Sequence, residues 1–268
     1  MARHMLDLVG DQGIYLEVDD RQSLRELTGL LQSACVQAEE RRSPSVIVLR
    51  LGTIPPVERS WPGDVGVQDV NRWERAVRRL ERLGVVTIAV AGGTCGGPAL
   101  DVLLAADYRI ATINLQLLLP VNDGHFWPGM ATHRLVHQIG VARARQIVLW
   151  GDELSARRAL DIGLVDEITD DAADAIQAAV VLLGRAAGAD LRVRRQLLLE
   201  AASTPFEDAL GSHLAACDRE LRRAHPRGDA TGRIRGTADR ADPDRPADPD
   251  REAAEHGTGH ETDGGSGR

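Results

Sequence analysis

The chain has 268 residues, 43% of them hydrophobic, and a formal net charge of −8 at pH 7. That length supports one large domain with a full core, or one domain with appendages, and the acidic balance argues against a surface that tracks nucleic-acid phosphates. All 32 basic residues are arginine, which excludes Schiff-base chemistry, a lysine general base and a Gly-Lys phosphate loop. Cys35, Cys95 and Cys217 are odd in number and far apart. They fit neither a disulfide framework nor zinc-ligand spacing, so plain thiols and no metal are expected. No apolar run approaches the roughly 20 residues of a membrane span. The opening MARHMLDLVG lacks the layout of a signal peptide, so a cytoplasmic location with no membrane and no nucleic-acid partner is expected.

Residues 5–18 read as two short strands around a Gly-containing turn. Residues 22–41, with leucines at 24, 27, 30 and 31, read as an amphipathic helix. SVIVLRL (45–51) is a continuous apolar run of the kind buried parallel strands show. A Pro/Gly-rich loop (52–66), a helix (68–82) and the strand VVTIAVA (85–91) follow. This β-α-β order predicts an α/β architecture.

A second cycle follows. The turn GGTCGGPALD (92–101) opens a helix at 98–106, and YRIAT (108–112) and LQLLL (115–119) read as strands. After the loop PVNDGHFW, helices are expected at about 129–139 and 142–150, and another from Ser155, its cap, to Ile162, ended by Gly163. LVDEI (164–168) reads as a short strand. Residues 171–224 read as three helical segments broken near Gly188 and Pro205. From 225 onward the composition shifts to Asp, Arg, Gly and Pro with one large aliphatic residue, Ile234. Such a segment buries too little to offset chain entropy, and a disordered tail is expected.

Three stretches carry a family resemblance: VVTIAVAGGTCGGPALDVLLAADYRIA (85–111), WPGMATHRL (127–135) and VLWGDELSARRALDIGLVDEI (148–168). They resemble the enoyl-CoA hydratase/isomerase (crotonase) family. The resemblance implies a crotonase-like ββα superhelix as core (1–168), a C-terminal helical oligomerisation region (169–224) and the tail (225–268). RWERAVRRLERL (72–83), the Gly-rich turn, LLLPV…WPGM (117–130) and STPFEDALGSHLAACDRELRRA (203–224) are similar to the accessory crotonase-like proteins of 3,5-dihydroxyphenylglycine biosynthesis. That likeness implies a CoA- or synthase-linked polyketide as substrate and no cofactor beyond the CoA thioester itself. It further implies a type III polyketide synthase and sister crotonase-like proteins as partners, and a homo-oligomer, trimer or hexamer.

The family stabilises an enolate at a thioester carbonyl, with two backbone N–H groups receiving the oxyanion. Carried onto this chain, the first catalytic carboxylate falls on Asp101. The usual donor glycine falls on Pro98, which has no N–H. A one-residue shift would place the Gly97 N–H in the oxyanion hole, and proline otherwise suits a rigid helix start. For the second donor, Gly52 and Thr53 lie near the right place. The second acid–base position falls on Val121, which cannot transfer a proton. Asn122, Asp123 and His125 are the nearest polar substitutes, and a loop tip of that composition also needs no function to explain it. Asp101 could equally be an aspartate favoured by the helix dipole. Asp107, His133, His137, Trp127–Pro128, Asp152 and Glu153 read as structural. Three activities stay open: a thioester-processing enzyme, an accessory subunit that stimulates the synthase, and an Asp-nucleophile dehalogenase or hydrolase.

Overall fold

A computed structural model describes residues 13–18, 22–41, 46–52, 64–119, 121–122, 125–127, 129–184 and 189–224. The expected strand within 5–12, the loop at 53–63 and the tail lie outside these residues. Along the chain, β1 (Gly13–Val18) leads to α1 (Leu24–Glu40), β2 (Val46–Leu51), α2 (Val67–Glu81) and β3 (Val86–Ala91). The two-residue β4 (Thr94–Cys95), α3 (Gly97–Ala105), β5 (Tyr108–Thr112) and β6 (Gln116–Leu117) follow. A hairpin of β7 (Val121–Asn122) and β8 (His125–Phe126) precedes α4 (Ala131–Trp150), β9 (Leu154–Ser155), α5 (Ala156–Asp161) and β10 (Glu167–Thr169). The described chain closes with α6 (Ala172–Gly184), α7 (Ala189–Ala201) and α8 (Phe206–Ala224).

The main sheet has the order β1-β2-β3-β5-β10, with every pair parallel. Its central strands β2 and β3 are apolar on both faces, interrupted only by Arg50 and Thr87. Ile47, Leu49, Leu51, Ala89 and Ala91 pack with Leu27, Leu31, Trp73, Leu80 and Leu103 from α1, α2 and α3. Val46, Val48, Val86, Ile88 and Val90 pack on the other face with Ala175, Ile176 and Ala179 of α6. Coverage on both sides is why SVIVLRL and VVTIAVA read as unbroken apolar runs.

The helix α6 therefore closes the core, and residue 168 is not a packing boundary. One compact unit runs to Leu221 and a second starts at Arg222, of which residues 222–224 are described. Among the described residues no helix is long and apolar enough to cross a membrane.

Local chemistry sets most element ends. Ser23 caps α1 in a reciprocal box with Glu26, which satisfies two N–H groups at once. Gly140, with φ 76° and ψ 161°, splits α4 into the two expected segments. Ser155 accepts the Arg158 N–H at 3.3 Å, as its capping position predicts, and Gly163 follows α5 at φ 78°. The strand expected at 164–168 starts later, at Glu167, because Leu164 and Val165 turn into the core beside Ala159. LQLLL keeps only Gln116–Leu117 as strand, and the expected loop after it is a hairpin pairing Val121 with Phe126 and Asn122 with His125.

A polar clamp joins α7 to the sheet. Asp107 accepts the Thr87 N–H at 2.8 Å and its hydroxyl at 2.9 Å, so it ties the start of β3 to the residue before β5. Arg195, buried on α7, ion-pairs with Asp107 and donates to the Val85 carbonyl at 3.1 Å. The structural reading of Asp107 thus acquires a specific partner. Removing one member of such a pair strands the other. The variant Asp107→Asn is expected to lose about 2–3 kcal/mol in urea denaturation, the low end for a buried pair because Asp107 is partly open to water. Adding Arg195→Met should restore part of the loss. An unchanged urea midpoint for Asp107→Asn would show the clamp to be incidental.

Candidate functional site

The Gly-rich turn is built by close approach. β3 ends at Ala91, Gly93 takes φ 60°, and β4 pairs with β6. The Gly93 carbonyl accepts the Gln116 N–H at 2.7 Å and the Cys95 carbonyl accepts that of Leu118 at 3.1 Å. A side chain on Gly96 would strike the Leu118 carbonyl at 2.9 Å, and one on Gly92 would strike Thr112. The glycines therefore let two backbone segments lie against one another. Gly96 is the helix N-cap, Gly97 has φ 54°, and Pro98 lies in the first turn of α3. The first helical bond runs from the Leu100 N–H to the Gly96 carbonyl, so the Gly97 N–H precedes the ladder at the positive end of the helix. Proline sits where the helix has no ladder bond to lose.

Asp101 follows one turn later and is 4% exposed. Its carboxylate faces α2 and α4. The Trp73 indole N–H donates to Oδ2 at 3.0 Å, and Arg134 Nη1 donates to Oδ1 at 3.3 Å. The same Nη1 donates to Glu74 Oε2 at 3.1 Å, while Arg134 Nε donates to Glu81 Oε1 at 2.7 Å. Glu74 also accepts the Met130 N–H at 3.3 Å, just before α4. Three carboxylates thus converge on one buried guanidinium. Burial pushes the Asp101 carboxyl up to about 7, reinforced by the nearby Glu74 charge and more weakly by Glu81, against the pull of Arg134 and the Trp73 hydrogen bond. Burial disfavours the Arg134 charge, but Asp101, Glu81 and Glu74 outweigh it and hold its pKa above the usual value.

Of the residues singled out from the sequence, Asp101 and Gly97 lie on one helix, with the turn and the carboxylate a single turn apart. Gly52 requires a correction. Its N–H donates to the Val18 carbonyl at 2.8 Å, prolonging the β1–β2 ladder, so that donor is spent. Thr53 and Asp123 lie outside the described residues, and His125 is described only as backbone, in β8. Trp73, Glu74, Glu81 and Arg134 were not singled out. Their signal was present: Trp73, Ala76, Val77 and Leu80 form the buried stripe of α2, and Glu74 and Glu81 flank it seven residues apart. Arg134 sits beside Leu135 among buried positions of α4, where a charge requires partners. Cys35 and Cys95 are buried, and burial pushes the Cys35 thiol up to about 11, away from nucleophilic use.

The enoyl-CoA hydratase/isomerase family model matches residues 68–225. An enoyl-CoA hydratase of Amycolatopsis orientalis is 45% identical over 201 residues, covering 75% of this chain and 90% of the relative. Among solved structures, an enoyl-CoA hydratase from Bacillus anthracis superposes with TM-score 0.67 at 20% identity, covering 79% of this chain and 88% of the other. An enoyl-CoA hydratase/isomerase from Cupriavidus metallidurans gives 0.63 at 19% identity, with 78% and 82% covered. The structural matches establish the fold, and the sequence matches establish the family: the chain belongs to the enoyl-CoA hydratase/isomerase family of acyl-CoA-processing, crotonase-like enzymes.

Proposed function

We propose that this protein processes a CoA- or synthase-linked polyketide thioester beside a type III polyketide synthase, promoting the dehydration and aromatisation that lead to 3,5-dihydroxyphenylacetyl-CoA. The observation that carries this reading is the Asp101 carboxyl, held by Trp73 and Arg134 and titrating near neutrality. A group with a pKa near the working pH both takes and returns a proton efficiently. In this reading Asp101 removes the α-proton of the thioester. The enolate charge falls on the carbonyl oxygen, where the Gly97 N–H and the helix dipole stabilise it. The protonated Asp101 then passes its proton to the leaving β-hydroxyl, and water departs as the double bond forms. One carboxyl serves both half-steps, which suits a chain with Val121 at the second acid–base position. The name borne by the Amycolatopsis relative supports a CoA thioester as substrate, and the quoted sequence stretches are the support for the polyketide.

The burial of Asp101 favours a second reading, an accessory subunit that stimulates the synthase or sister crotonase-like proteins by complex formation. Homo-oligomerisation, as trimer or hexamer, belongs to both readings. Its support is the exposed apolar row Phe206, Leu210, Leu214 and Leu221 on α8.

Three outcomes are expected. With the synthase and malonyl-CoA, Asp101→Asn should lower the stimulated yield of dihydroxyphenylacetyl product about 100-fold or more, the weight of a general acid–base group. Full stimulation by that variant would transfer the conclusion to the accessory subunit. Leu210→Glu combined with Leu214→Glu should convert the oligomer to monomers in sedimentation; an unchanged sedimentation coefficient would rule out α8 as the contact. Stability should also respond to Asp101. Its folded pKa lies above the unfolded carboxyl value of about 4, so the native state holds the extra proton between the two values. Stability contributed by that proton is present below about pH 4 and is lost as pH rises to about 7, by at most about 4 kcal/mol. In Asp101→Asn the pH dependence of the urea midpoint over that window should flatten, and an unchanged profile would show that Asp101 does not titrate there.

A further inference from the structure

His133 and His137 stand on successive turns of α4, both exposed, with Nε2 atoms 3.1 Å apart and ring centroids 4.3 Å apart. We infer that this pair is a chelating site for one divalent transition-metal ion of the Cu²⁺, Ni²⁺ or Zn²⁺ class. Nitrogen ligands sit about 2.0–2.1 Å from such an ion. Two of them 3.1 Å apart therefore subtend about 100° at the metal, between the square-planar and tetrahedral angles. The i, i+4 spacing lets one ion bridge both rings without moving the backbone.

The surroundings keep the ligands in the right form. Partial desolvation against α2, the neighbouring His137 and the charges of Arg134 and Arg78 hold His133 below the usual histidine pKa, with Glu81 opposing. The cations that face the pair are already paired. Arg78, on α2, donates to Glu81 at 2.6 Å, and Arg134, on α4 itself, is shared among Asp101, Glu74 and Glu81. Without metal, the close Nε2 contact requires one ring to donate to the other, and a second proton would force the rings apart. The space between the two Nε2 atoms thus takes either the proton of that hydrogen bond or one metal ion. Among the described residues no group of three or more His, Cys, Asp or Glu is arranged to hold a metal, so the remaining coordination positions belong to water or an incoming ligand. The ion would span the turn that carries Arg134, on the outer side of the helix whose inner side holds Asp101.

The test uses the full chain without a polyhistidine tag. Cu²⁺ and Ni²⁺ are titrated in separate calorimetry runs, with Mg²⁺ as control, against wild type, His133→Ala, His137→Ala and the double variant. One ion should bind per wild-type chain. Each single variant should raise the half-saturating concentration by at least about ten-fold, since even outer-shell partners of a metal are worth that much. The Cu²⁺-loaded wild type should show hyperfine coupling to two imidazole nitrogens in its paramagnetic resonance spectrum. Affinity should fall as pH is lowered, because protons compete with the metal for the ring nitrogens. The double variant should melt like the metal-free wild type, because both rings are exposed, but should lose the Ni²⁺-induced rise in melting temperature. Equal binding by wild type and double variant, or an equal response to Mg²⁺, would overturn the site.

Discussion

Arg134 is the residue around which the site region is organised. A single guanidinium, taken out of water, binds carboxylates from α2 and α3 while riding on α4. Unpaired, that charge would be prohibitive at such a position; paired, it fixes three helices relative to each other with the directional geometry of a planar donor fork. Desolvation disfavours charge on Asp101 first of all, and three carboxylates against Arg134, with Arg78 on Glu81 alone, add an excess of negative charge. The excess has to be relieved by a proton, and it falls on Asp101, the most buried of the three. The titration of Asp101 is thus a property of the cluster as much as of the residue.

The Gly-rich turn is constrained differently, by backbone contact. Gly92 and Gly96 are glycines because Thr112 and the Leu118 carbonyl occupy the space a side chain would need. Once β6 is stapled along the turn, the path into α3 is fixed. Pro98 then takes the place in the first turn where an N–H is dispensable, ahead of the first ladder bond from the Leu100 N–H to the Gly96 carbonyl. The turn and the carboxylate cluster meet on a helix of nine residues, so displacing either end of α3 displaces both.

The chemistry that follows is spare. The Val18 carbonyl occupies the Gly52 N–H, so that group offers no second donor. Among the described residues, α3 joins the Asp101 carboxyl, pushed up to about 7, to the N-terminal turn at Gly97, and the proposed proton transfer rests on that pairing. The exposed histidine pair on the outer side of α4 adds a feature that the family's thioester chemistry does not require.

Most of the fold was legible in the sequence because it rests on local rules. Continuous β-branched runs marked the buried strands, and caps and breakers at Ser155, Gly163 and Pro205 marked helix ends. The short pairings β4–β6–β9 and the β7–β8 hairpin left no such signal, since strands of two residues are defined by their partners rather than by periodicity. Asp101 and the Gly-rich turn were visible as a motif. The partners of Asp101 were not, because Trp73, Glu74, Glu81 and Arg134 lie 20 to 33 residues from it in sequence, all on other helices, and meet only after α2, α3 and α4 pack. Sequence alone determined the family, the α/β architecture and the position of the Asp101 carboxyl one turn into α3. Tertiary structure alone decided that this carboxyl is buried against a shared guanidinium, because desolvation and charge convergence arise only between elements distant along the chain.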